Sequence, residues 1–140
     1  MRPEIQTLIP LFIALPLTMS VLIQLFARRR AMLAAWMACL TMLVMMLMAL
    51  ATIGSATGGE FIYNMGGWKT PLGIDLRMDQ LTTLLVVTIN TIGLAVVIYA
   101  VDYMQQFTAQ PRFYSLFLLM ITGMNGVVMT GDLFNLYVFL

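Results

Sequence analysis

Histidine is absent from the chain, and cysteine occurs once, at Cys39. The first absence removes histidine acid–base chemistry and histidine-ligated metal. The second leaves neither a disulfide nor a thiolate cluster to build. Cys39 lies within an apolar run and reads as a small residue in helix packing. Charge is nearly as scarce, at 9% of 140 residues, with seven Lys or Arg against six Asp or Glu and a net charge of +1. Soluble domains carry about 25% charged residues. So little charge, beside 61% hydrophobic residues and a mean hydropathy of +0.95, describes an integral membrane protein. The few basic residues form no basic face, so nothing here attracts nucleic acid. The chain also lacks a nucleophile–base pair, a phosphate loop, a cofactor motif and a metal-ligand cluster, so no catalytic residue, cofactor or metal is assigned. No repeat, low-complexity segment or soluble domain is evident.

What remains is long apolar runs. Residues 5–27 form a first span, interrupted by Pro10 and Pro16, which membrane helices tolerate when neighbours satisfy the freed carbonyls. The run is too long for a signal peptide, and Arg28, Arg29 and Arg30 follow it directly, which reads as a retained anchor. The same arginines orient the chain. Positive short loops stay on the cytoplasmic side of a plasma (inner) membrane, which places the N-terminus outside. Residues 31–53 return, with Trp36 at the cytoplasmic interface. Fourteen methionines, among them Met42, Met45, Met46 and Met48 along this second span, lack the partners of a metal site and read as adaptable packing.

The pattern changes over residues 54–78. Residues 60–64 and 73–78 alternate polar and apolar around Gly66-Gly67 and Pro71, which predicts an external β-hairpin. Ile74, Leu76 and Met78 share one face, with Asp75, Arg77 and Asp79 on the other. Asp79 then stands as the N-cap of a third span, 80–101, in which Thr88, Asn90 and Thr91 make a polar patch near mid-membrane. That patch reads as glue between helices or as the lining of a water wire. Asp102 opposes the helix dipole, so it should be solvated or paired with Arg112. A fourth span, 113–129, presents Gly123 and Gly126 as a small contact face beside Asn125. Gly131 suits a sharp reversal, and Asp132 is placed to cap a fifth helix, 133–140. Eight residues give roughly 12 Å of helix against a core of about 30 Å, so something is expected to continue it. The fold class is therefore an all-α polytopic membrane protein: four transmembrane helices, the first half of a fifth, and an external hairpin between helices 2 and 3.

The run from Thr130 through Asp132, Asn135 and Tyr137 to Phe139 resembles the fifth helix of the proton-conducting subunits shared by Mrp-type cation/proton antiporters, membrane-bound hydrogenases and respiratory complex I. Met65-Gly66-Gly67-Trp68, Gly73-Ile74 and Asp79-Gln80-Leu81 resemble the external loop of the same family, with Thr82 where the family has serine. The wording is most similar to the D-type member of Mrp-type Na⁺/H⁺ antiporters, and the chain would cover about the first third of such a subunit. The resemblance implies two inverted repeats, each with a buried glutamate and lysine linked by water. The first glutamate would follow Leu140, at the membrane midplane. No span residue in this chain carries a charge. The resemblance therefore implies the N-terminal part of a proton-translocating subunit that does not transport alone. Its partners would be the remainder of the subunit, other membrane subunits, protons and possible Na⁺, within the lipid bilayer. Asp132, Asn135, Asn90, Asn125 and Asp79 are the proton-pathway candidates. The alternatives are a subunit of a redox-driven pump, which is the only enzyme-linked reading, and a non-conducting structural subunit.

Overall fold

The computed structural model describes residues 3–53, 61–64 and 75–140. Among these residues, five α-helices follow in order: α1 (Pro3–Phe26), α2 (Ala31–Ile53), α3 (Gln80–Tyr103), α4 (Gln110–Met129) and the short α5 (Leu133–Phe139). Four of them are long and apolar enough to cross a membrane. Pro10 and Pro16 both lie inside an unbroken α1. Pro111 sits in the first turn of α4, where its missing N–H would have had no helical partner. A single 3-10 turn, Met104–Gln106, leads out of α3. Asp102 is solvated at this end and accepts from Gln105 Nε2 at 3.3 Å.

The expected hairpin is present as two antiparallel strands, β1 (Phe61–Asn64) and β2 (Asp75–Met78), with Phe61 opposite Met78 and Asn64 opposite Asp75. Its connecting turn, including Gly66-Gly67, Trp68 and Pro71, lies outside the described residues. Alternation along β2 holds for Leu76 and Met78, which are buried against the helices. It fails for Asp75. The sequence places that carboxylate on the solvated face with Arg77, yet only 1% of its side chain is exposed, whereas 46% of Arg77 is. The Arg77 guanidinium reaches in to it, Nε to Oδ2 at 2.9 Å, so the charge goes under the hairpin with a partner rather than out to water.

Helix α4 is the centre of the bundle and packs against all four other helices and β2. Two apolar clusters divide the interior. One, toward the arginine end, gathers Ile23, Ala34, Ala38, Met42, Val97, Tyr114, Leu118 and Ile121. The other, under the hairpin, gathers Ile9, Phe12, Met45, Leu76, Met78, Val86 and Met129. Alanine at 34, 35 and 38 keeps the inner face of α2 thin, and Gly93 on α3 lets Met42 approach closely. Large apolar side chains such as Leu25, Trp36, Leu81 and Leu116 point outward. In water that would be costly; facing lipid it is the ordinary condition of a multi-pass membrane protein.

Candidate functional site

The two apolar clusters meet at a polar layer. On α3, Asn90 lies between Val86 and Val97, which belong to different clusters; on α4, Asn125 lies between Ile121 and Met129 in the same way. Both asparagines are fully buried. Their carboxamides face each other, Asn90 Nδ2 donating to Asn125 Oδ1 at 3.2 Å and Asn125 Nδ2 to Asn90 Oδ1 at 3.5 Å. Asn90 Nδ2 also donates to the Val86 carbonyl at 2.7 Å, which fixes its rotamer against its own helix. A carboxamide has both donor and acceptor, so each residue supplies what the other lacks. It holds no titratable proton. The pair can clamp two helices or orient a water molecule, but it cannot store charge.

Thr88 and Thr91 do not join it. Both are exposed on the outer face of α3, and Thr88 Oγ1 bonds back to the Leu84 carbonyl at 2.8 Å. The expected patch of three is therefore one inward asparagine and two outward threonines, because positions 88 and 91 lie on other sides of the helix from 90. Asn135 on α5 is 4% exposed, and its Nδ2 has no hydrogen-bond partner. It bonds to neither Asn90 nor Asn125.

Asp79 and Asp132 stand apart from the layer, at the hairpin end, as helix caps. Asp79 Oδ1 accepts from the Thr82 amide at 2.7 Å. That bond is the largest of the effects holding its carboxyl below the usual carboxylate range. Asp132 Oδ1 accepts from the Phe134 amide at a longer 3.3 Å. Between them, the reversal from α4 to α5 is fastened to the hairpin. Gly131 N donates to the Asp75 carbonyl at 3.1 Å, and Thr130 bridges to Leu76. Gly131 is needed for closeness. A Cβ there would fall 2.5 Å from Arg77 Nε and 2.8 Å from Asp75 Oδ2. The glycine face of α4 is used in the same manner, for Phe139 of α5 lies against Gly126.

One polar contact carries no sequence signal. Ser20 on α1 and Ser115 on α4 are both buried and exchange bonds, Ser20 Oγ to the Ser115 carbonyl at 2.8 Å and Ser115 Oγ to the Ser20 carbonyl at 3.0 Å. Tyr114 Oη adds a tie to the Ala100 carbonyl of α3 at 3.2 Å. Serine inside an apolar helix is common, and only the reciprocal geometry marks this pair.

Residues 64–114 match the family described as NADH-Ubiquinone oxidoreductase (complex I), chain 5 N-terminus. The N-type membrane subunit of the NADH-quinone oxidoreductase of Desulforudis audaxviator is 40% identical over 141 residues, covering 99% of this chain and 27% of that protein. The D-type member of a probable K(+)/H(+) antiporter of Rhizobium meliloti is 43% identical over 98 residues, covering 69% and 18%. The chain is a homologue of the antiporter-type membrane subunits. The fold of such a subunit agrees. An Mrp complex from a Dietzia species superposes with a TM-score of 0.85 at 26% identity, over 98% of this chain and 25% of that one. The archaeal membrane-bound sulfane sulfur reductase superposes at 0.87 and 26% identity, over 96% and 28%. The chain thus spans only about a sixth to a quarter of the length of the relatives it matches.

Proposed function

We propose that this chain is the N-terminal portion of a proton-translocating subunit in a multisubunit cation/proton antiporter. The observation that carries the reading is the likeness of its whole fold to an Mrp complex, seconded by relatives that are D-type members of K(+)/H(+) and Na(+)/H(+) antiporters. In this reading α1 to α3 form the scaffold, and α4 and α5 open the first proton-carrying repeat. The Asn90–Asn125 pair holds the scaffold to that repeat across the midplane. Asn135 offers its open donor on the repeat side, and Asp79 and Asp132 sit at the outer mouth. A titrating relay of buried glutamate and lysine is needed for transport, and no residue in the interior of a span is charged among these 140. The N-terminus lies outside, and the Arg28–Arg30 turn lies in the cytoplasm of a cell whose inner membrane houses the complex.

A second reading has its own support. One relative that matches nearly the whole chain, at 40% identity, belongs to an NADH-quinone oxidoreductase, so the same scaffold would serve a redox-driven pump. A chimera separates the two. This chain replaces the matching segment of the D-type Mrp protein, or of the N-type NADH-quinone oxidoreductase protein, in strains lacking each. Na⁺- or K⁺-dependent ΔpH collapse in everted vesicles of the first chimera supports the antiporter reading. NADH-driven pumping restored by the second alone would transfer the chain to the redox class. The 140-residue chain reconstituted by itself should show no ΔpH-driven flux. A cysteine replacing Asp102 in the active chimera should react with an impermeant thiol reagent from the cytoplasmic side only.

A further inference from the structure

Between α2 and α3, at the arginine end of the bundle, lies a cavity of about 410 Å³ that takes no part in the proposed proton path. It is lined by Met32, Trp36 and Cys39 of α2 and by Ile98, Val101 and Asp102 of α3. The α2 lining residues span from 32 to 39, which is roughly 10 Å of depth along the helix axis. The walls are apolar except at the mouth, where Asp102 is exposed. The volume falls within the range of about 300–1,000 Å³ typical of small-molecule sites.

Basic charge collects at the same end of the bundle. Arg28, Arg29 and Arg30 are all exposed on the turn that leads into α2. The Arg30 carbonyl accepts the Ala34 amide at 3.1 Å, so Arg30 stands at the start of α2, two residues before Met32 of the wall. Arg112, also exposed, opens α4 at the same end. Four arginines and one carboxylate, Asp102, which already accepts from Gln105, therefore share this end of the bundle. Exposed guanidiniums on the turn that leads into one wall of an apolar slot offer two parts, one suited to a phosphate and one to a hydrocarbon chain. Trp36 borders the slot and is 66% exposed, and amphipathic rings of this kind favour the boundary between headgroup and acyl chain.

We propose that this groove binds one anionic phospholipid, its acyl chain between α2 and α3 and its phosphate on the Arg28–Arg30 turn. The chemistry favours an anionic over a zwitterionic headgroup because arginine outnumbers acid at this end of the bundle.

Trp36 reports occupancy directly. The chain has two tryptophans, so a Trp68→Phe background leaves Trp36 alone. In phosphatidylcholine nanodiscs, bromine-labelled phosphatidylglycerol should quench Trp36 at about one tenth the mole fraction that bromine-labelled phosphatidylcholine needs. Replacing Arg28, Arg29 and Arg30 together by Gln should erase that preference while leaving helicity by circular dichroism unchanged. Cys39→Phe, which fills the slot but keeps the arginines, should weaken quenching by both lipids. Equal quenching by the two lipids in the parent protein would overturn the site, marking ordinary lipid contact or a face reserved for another helix. A preference that survives the arginine replacement would overturn the phosphate assignment. One that survives Cys39→Phe would overturn the groove.

Discussion

Single side chains decide two properties of this molecule. Asn90 and Asn125 satisfy one another in a fully buried layer. Asn90→Leu should therefore cost about 1–3 kcal/mol, because Asn125 is left with an unpaired amide. Replacing both by Leu should cost less than either single change, since no orphan remains. Reversible unfolding in mixed detergent gives both values, and a double variant as weak as the sum of the singles would show that the two amides act separately. Asp79 sets the acid limb. Its carboxyl is held below the usual range by the Thr82 amide. Stability from this cap is thus fully present above the unfolded carboxylate pKa of about 3.9 and is lost as pH falls through the lower, folded value. Asp79→Asn keeps an acceptor at the cap without the titration. Its melting temperature should stay flat over that acid window where the parent protein's declines.

At the scale of elements, glycine decides how α5 is held. A Cβ on Gly126 would fall 2.3 Å from Cδ1 of Phe139, an aromatic ring that cannot fold away as a long flexible chain would. Gly126→Val should displace α5 while leaving α1 to α3 in place, and amide exchange would rise across residues 133–139 but not in α3. Gly131→Ala meets two side chains, Arg77 at its Nε and Cδ and Asp75 at its Oδ2, and should loosen the Asp75–Arg77 pair without freeing the helix. These contacts explain what composition could not give. Gly123 and Gly126 are legible as a small face, but their occupant is not, because a small face fits any neighbouring helix. Alternation misplaces Asp75 for a related reason. It assigns faces relative to one sheet, and here Gly131 of the α4–α5 reversal lies against Asp75 on the second face of β2, while Arg77 on the same face stays half exposed.

Over the whole molecule, sequence carries the architecture further than the site. Span lengths, the arginine turn, the hairpin and both aspartate caps follow from hydropathy, charge and capping chemistry acting within a few residues of each other. The polar layer does not. Asn90 and Asn125 are each noticeable in an apolar helix, yet their partnership spans 35 positions and depends on how α3 rolls against α4. Ser20 and Ser115, 95 positions apart, are less visible still. Membrane helices lack an aqueous side to fix their rotation, so the periodicity that orients a soluble helix says little here. The family resemblance read from the Thr130–Phe139 run supplies what no local rule can, the arrangement of the bundle as a whole.

Strand β2 is engaged on both edges, by β1 on one and by Thr130 and Gly131 on the other. The extramembrane ribbon is therefore spliced to the hinge at the top of the fifth helix. A neighbouring protein that pushes on the ribbon would move that helix as a lever moves its load, with no contact inside the bilayer.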